Sequence, residues 1–270
     1  MVIPVHDINP LRRTPWMTWA LVAVNVVVFF LTPGNASSVN GTTTLTQQCK
    51  QEQFFDKYAA IPRELTHEKQ LPLVATGQTG TDAAGNEGCV LAKPSYHKVL
   101  FLSAITSMFL HGGWLHLLGN MLFLVIFGNN VEDRFGRWRF LLFYVASGIV
   151  AAYGFALAQS NSTETLIGAS GAISGVLGAY LVLWPQARVW SLVPFFFFIP
   201  LRLPAWVVLG LWFLLQWAYA SGSVVSNAGN VAYLAHVVGF GFGALVALAI
   251  RAHDGPPPEP RRAQWRRAAL

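Results

Sequence analysis

Charge is what this chain of 270 residues has least of. Only 11% of it is Asp, Glu, Lys or Arg, against about 25% in an average soluble domain. The shortage is also uneven. Between Val99 and Ile250 the charged residues are Glu132, Asp133, Arg134, Arg137, Arg139, Glu164, Arg188 and Arg202, and nothing else. One apolar run could be a core helix, but several runs of membrane-spanning length, with charges only between them, cannot cover a surface in water. That pattern excludes a soluble enzyme, a secreted disulfide scaffold and a disordered chain. The net charge of +6 would point a soluble protein towards nucleic acid. Here a bilayer explains it better, because the arginines flank the apolar runs, and no nucleic-acid partner is expected.

What is abundant is hydrophobic sequence, 54% of the chain. Runs of about 17–25 apolar residues mark candidate spans, and six are found. They cover about Trp16–Leu31, Leu115–Val131, Phe140–Ala158, Gly168–Trp184, Leu203–Ala220 and Val231–Ile250. The expected fold is an all-α polytopic membrane protein with six transmembrane helices. Val99–Leu110 is too short to span. Leu192–Ile199 is interrupted by Pro194 and closed by Pro200, so it reads as an interfacial lead-in to the fifth span, since lipid offers no partner for backbone groups that proline leaves unpaired.

Arginines set the orientation. Arg12 and Arg13 precede span one; Arg134, Arg137 and Arg139 separate spans two and three; Arg188 and Arg202 separate four and five; Arg251, Arg261, Arg262, Arg266 and Arg267 follow span six. The short loops on the other side, about Gln159–Ile167 and Ser221–Asn230, contain no Lys or Arg. By the positive-inside rule both termini are cytoplasmic. The organisation is then a cytoplasmic segment 1–15, a membrane domain 16–250 with a long outer loop at about 32–98, and a cytoplasmic Pro/Arg-rich tail 251–270. Span one is read as retained rather than as a signal peptide, because its apolar run is long and no A-x-A cleavage pattern follows. Cys49 and Cys89 both lie in the outer loop, where a disulfide is permitted and two free thiols are the alternative. The Pro-rich tail is expected to be disordered, touching anionic lipid at most.

Polar side chains inside spans are costly and therefore functional candidates. His116 and Asn120 share one face of span two, Ser170 and Ser174 open span four, and His236 lies near the start of span six. The arginine-derived topology puts all of them at similar depth in the outer leaflet. Gly171, Gly175 and Gly178 form a stripe on span four, and Gly239 and Gly243 form one on span six with His236 in line. Stripes of small residues let membrane helices approach closely, which would bring His236 towards Ser170. The competing reading is that the glycines only aid packing and each serine bonds its own helix backbone.

A serine with an adjacent histidine is an activated nucleophile. No span supplies a third, orienting carboxylate; Glu164 is in a loop. A hydrolase built here would use a Ser–His dyad, with His116, Asn120 and the Ser170 backbone N–H available to a developing oxyanion. Ser170 is favoured over Ser174 because it stands between glycines at a helix start, where backbone N–H groups are free. Metal or haem ligation by His111, His116 and His236 is the rival chemistry, but no H-E-x-x-H or Cys–His pattern supports it and no metal is expected.

These motifs resemble the rhomboid intramembrane serine proteases. The resemblance rests on His111-Gly-Gly-Trp-Leu-His116-Leu-Leu-Gly-Asn120, on Gly168-Ala-Ser170-Gly171, and on Ala235-His236-Val-Val-Gly239 with Gly243. It extends from about Ser107 to Ile250 and includes the Glu132-Asp133-Arg134-Phe135-Gly136 turn. It implies a six-helix bundle that cleaves transmembrane protein substrates in or near the membrane, without a cofactor. Ser170 would be the nucleophile, His236 the general base, and His116 and Asn120 the oxyanion donors. It also implies a bacterial inner-membrane location with the site opening outward. Two positions differ from many bacterial members. Ser174 stands where an aromatic would pack on the base, and Phe101-Leu102-Ser103 stands where an arginine precedes the Thr-Ser-Met-Phe-like stretch. The alternative within the same fold is a catalytically silent protein that binds membrane clients. A channel or transporter would show internal repeats or paired broken helices, and none is seen.

Overall fold

The computed structural model describes residues 3–35, 44–195, 197–222 and 232–257. Most of the expected outer loop Ser221–Asn230 and the tail arginines Arg261, Arg262, Arg266 and Arg267 lie outside the described residues. Strand β1 (Ile3–Asp7) precedes helix α1 (Trp16–Leu31). Helices α2 (Leu45–Tyr58) and α3 (Pro62–His67), strands β2 (Val74–Thr81) and β3 (Glu87–Ala92), and helix α4 (Leu100–Thr106) follow. Helix α5 (Trp114–Phe123) continues through a π turn at Leu124–Gly128 into α6 (Asn129–Phe135). Then come α7 (Arg137–Ala158), α8 (Ser170–Leu183), β4 (Arg188–Phe195), β5 (Phe197–Pro204), α9 (Ala205–Ala220) and α10 (Tyr233–Asp254).

Among the described residues, three helices are long and apolar enough to cross a membrane: Trp114–Phe135, Arg137–Ala158 and Tyr233–Asp254, each of 22 residues. Helices α1, α8 and α9 are apolar but shorter, at 16, 14 and 16 residues. At 1.5 Å per residue they rise roughly 21–24 Å, against about 30 Å of hydrocarbon. The protein is mostly helical rather than all-α. The stretch Leu192–Ile199, expected as an interfacial lead-in, instead forms the antiparallel pair β4–β5, with β1 on the far side of β4. Val189 and Ser191 are buried while Arg188 is exposed and Trp190 half-buried, the period-two alternation of a half-buried strand. Trp190 pairs with Arg202, whose guanidinium lies 4.4 Å from the indole centroid.

The chain divides into two compact units. The first comprises Met1–Val22, Met121–Ala151 and Ser170–Leu270. In it the Glu132-Asp133-Arg134 turn is a junction. Glu132, 3% exposed, accepts the backbone N–H groups of Met17 (3.0 Å) and Thr18 (2.7 Å) and the Thr18 hydroxyl (2.8 Å). A carboxylate there satisfies orphan donors at the start of α1 and meets the positive end of its dipole. Asp133 pairs with Arg12, and Arg134 donates to the Gly255 carbonyl. Asp7 of β1 accepts from Asn130 Nδ2 (2.6 Å) and the Tyr180 hydroxyl (2.9 Å), and burial pushes its carboxyl up to about 7.

The second unit comprises Ala23–Asn120 and Ala152–Ala169. Its segment 44–98 is folded. A capping box of Thr44 and Gln47 starts α2, Cys49 of α2 is disulfide-bonded to Cys89 of β3, and Lys98 Nζ meets Glu64 at 2.6 Å with both side chains buried. Burial lowers the Lys98 ammonium from its ordinary value, opposed by Glu64 and Asp56. Phe55, Ala59 and Leu110 form one apolar cluster with Val28, Phe54 and Ile167, and Ala60, Leu65 and Ala156 form another.

Candidate active site

In the first unit, α8 and α10 pack with their backbones almost touching. A Cβ on Gly239 would overlap the Gly171 carbonyl, and one on Gly243 would overlap the Gly175 carbonyl. From the other side, a Cβ on Gly178 would run into the Phe240 carbonyl, and one on Gly175 would stand 3.3 Å from the Gly239 carbonyl and collide with Ser147 of α7. A Cβ on Gly171 would lie 2.8 Å from that of Ala151. The two glycine stripes therefore face each other, and no larger side chain fits between them. Such an interface holds by van der Waals contact, since lipid supplies no hydrophobic drive between helices.

That approach carries His236, near the start of α10, to Ser170, the first residue of α8. His236 Nε2 lies 2.8 Å from Ser170 Oγ. As the first helical residue, Ser170 has a backbone N–H with no intrahelical acceptor. Ser174 behaves differently: its hydroxyl, 1% exposed, donates to the Ser170 carbonyl at 2.6 Å. The reading in which a serine bonds its own helix is right for Ser174, whereas the Ser170 hydroxyl meets the imidazole. The aromatic cover missing at position 174 is provided from elsewhere. Trp212 of α9 lies 6.0 Å from the His236 ring, and Tyr233 approaches edge-on at 6.4 Å.

One polar residue in contact with this pair was not anticipated. Gln216 of α9, 6% exposed, places Oε1 2.7 Å from His236 Nδ1. The signal was present in the sequence: Gln216 is the one amide between Leu203 and Ala220, in a span where any polar side chain is costly.

In the second unit, His116 and Asn120 of α5 face Gly168. A Cβ on Gly168 would stand 2.5 Å from His116 Nε2 and 3.6 Å from Asn120 Nδ2, and its φ of +116° also favours glycine. The segment that leads to Ser170 is fixed by its backbone, with Leu166 N–H donating to Ala60 O at 2.7 Å and Gly168 N–H to Ser107 O at 2.9 Å. Asn120 Nδ2 is buried and has no hydrogen-bond partner among the described residues. His111 stacks edge-to-face on His116 at 5.0 Å. Phe101–Ser103, which lacks the arginine, lies in α4. Elsewhere in this unit Asn35 Nδ2 donates to the His111 carbonyl at 2.8 Å, and Gln51 Nε2 donates to Asn35 Oδ1 at 2.7 Å.

Apolar helices of spanning length, with a serine–histidine pair between two of the helices, define an integral membrane protein of a recognisable kind. Residues 100–253, more than half of the chain, match the rhomboid domain, and the chain belongs to the rhomboid family. It is 29% identical over 173 residues to RHOMBOID-like protein 5 of Arabidopsis thaliana, covering 64% of this chain and 53% of that protein. It is 31% identical over 170 residues to rhomboid protease GluP of Bacillus subtilis, covering 62% and 24%. It is also 36% identical over 80 residues to rhomboid-type serine protease 2 of Emericella nidulans, covering 29% and 15%. The matched stretch spans 53%, 39% and 60% of the RHOMBOID-like proteins 5, 1 and 6 of Arabidopsis.

Proposed function

We propose that this protein is an intramembrane serine endopeptidase, hydrolysing peptide bonds of transmembrane substrates in or near the membrane without a cofactor. The observation that carries the reading is the 2.8 Å contact between Ser170 Oγ and His236 Nε2 at a helix start. In the reaction His236 takes the hydroxyl proton as Ser170 attacks the scissile carbonyl, then returns it to the leaving amine. Water repeats the cycle on the acyl-enzyme. The Ser170 backbone N–H is available to the tetrahedral oxyanion; the motif resemblance assigns His116 and Asn120 the same role, which the Asn120 amide, unpartnered among the described residues, supports. Relatives named as rhomboid proteases support the same activity.

The six apolar helices all cross the membrane in this reading, with both termini cytoplasmic in a bacterial inner membrane. The arginine distribution supports that orientation. The family also has members named as mitochondrial. A 14-residue α8 rising about 21 Å in a 30 Å core lets Ser170 start below the outer surface. The test is fluorophosphonate labelling of the purified protein. Labelling and cleavage of a single-span reporter are expected in the wild type and absent in Ser170→Ala. A wild type that neither labels nor cleaves would leave the silent client-binding protein of the same fold.

A further inference from the structure

Among the described residues, the far side of the His236 ring meets an amide, at Gln216. We infer that Gln216 is a positioning residue, holding His236 in the tautomer whose free lone pair faces Ser170. The inference rests on the reading of His236 as the general base.

A neutral imidazole carries one N–H and one lone pair. An amide oxygen only accepts, so the 2.7 Å contact from Gln216 Oε1 requires the proton to be on His236 Nδ1. Nε2 is then the acceptor, 2.8 Å from the Ser170 hydroxyl that must give up its proton. Reversing the amide inverts everything: an NH₂ group facing Nδ1 would push the proton to Nε2, and the ring would donate to Ser170 instead of accepting from it. In soluble serine hydrolases a buried carboxylate sets this tautomer, and a wrong tautomer alone costs about 10⁴ in rate. An amide does the same job without placing a formal charge inside a membrane-spanning segment, where charge is costly.

Helix α9 also supplies the cover. Trp212 is four residues before Gln216, on the same helical face, and its indole lies against the same imidazole. One face of α9 therefore fixes both the rotation of the ring, through the indole, and its proton, through the amide. Tyr233 and Ser170 also lie beside the ring.

The experiment uses full-length protein in detergent, with Gln216→Met, which keeps the length and loses the acceptor, and Gln216→Glu, which keeps an acceptor. On a single-span reporter, Gln216→Met is expected to lower kcat at least about tenfold with KM little changed, and Gln216→Glu to retain most of kcat. Independently of activity, ¹⁵N-histidine NMR, with His236 identified by difference against His236→Ala, should show the Nδ1–H form in the wild type. Gln216→Met should shift His236 towards the Nε2–H form. A packing role alone would lower stability, leave kcat per folded molecule unchanged and leave the tautomer where it was. The inference is overturned by an Nε2–H wild type, or by wild-type kcat in Gln216→Met. If the wild type neither cleaves nor labels, the protease reading fails while the NMR still decides the Gln216 bond.

Discussion

Helices α8 and α10 meet over glycines so closely that carbonyls occupy the space side chains would need, whereas α2 and β3 are joined by a disulfide and the same unit holds a buried ion pair. The first region reads as lipid-embedded and the second as lying in water. Among lipid tails, apolar side chains gain nothing by moving from lipid to protein, so attraction has to come from contact at short range. A small polar segment in water has the opposite problem: too little apolar surface to bury, which a covalent staple offsets. The difference lies in the solvent, and each region should fail in its own way.

The largest effect is expected from Gly239→Leu. A leucine there must displace the Gly171 carbonyl, forcing α8 from α10 and breaking a bond that needs about 2.6–3.2 Å between heavy atoms. Fluorophosphonate labelling should fall by at least about a hundredfold, the lower range for losing a general base. Labelling at the wild-type rate would show that the glycine contact does not position the pair. Second comes Cys49→Ser, which opens a link across 40 residues. It should cost about 2–4 kcal/mol, read as proteolytic nicking within residues 44–98. Labelling of Ser170 should persist; equal loss of both would mean that the two regions do not fail separately.

A pH-dependent effect follows from Asp7, whose carboxyl burial raises to about 7 from about 3.9 in an unfolded chain. The folded state binds the proton more tightly, so this stabilisation is complete below about pH 4 and is lost as pH rises through 7. Asp7→Asn should remove that dependence. Against wild type it should gain on the order of a few kcal/mol at pH 8 relative to pH 4, measured by thermal unfolding at the two pH values. A constant difference across that range would refute the assignment. The smallest effect is expected from Ser174→Ala. Its hydroxyl serves only a carbonyl of its own helix, so stability should change by about 1 kcal/mol or less and labelling should stay. Loss of labelling there would move the nucleophile.

The helices of the membrane region were legible because hydropathy is a property of composition over a window, and Trp16–Leu31 was read to the residue. The meeting of Ser170 and His236 was legible because glycine periodicity names a helix face before any partner is known. The hairpin β4–β5 was hidden by Pro194 and Pro200, which read as breakers, although each stands in a strand opposite Phe198 and Leu192. The alternation Arg188-Val189-Trp190-Ser191 was the weaker signal and the correct one. The pairing of Cys49 with Cys89 depends on a fold between them that spacing does not reveal. Gln216 is hidden for a different reason: the polar residues of spans two, four and six fall in clustered motifs, whereas Gln216 stands alone in the fifth.

The carboxylate of Glu132 also imposes an order in time. It closes the start of α1 by binding residues 115 and 114 positions earlier in the chain. During synthesis α1 leaves the ribosome with its leading amides unmet, and the side chain that completes it is made more than a hundred residues later. Helix α1 must therefore wait until the end of the helix Trp114–Phe135 arrives to lock it. A carboxylate lost at Glu132 would be felt first during assembly, as an α1 whose leading amides are never met.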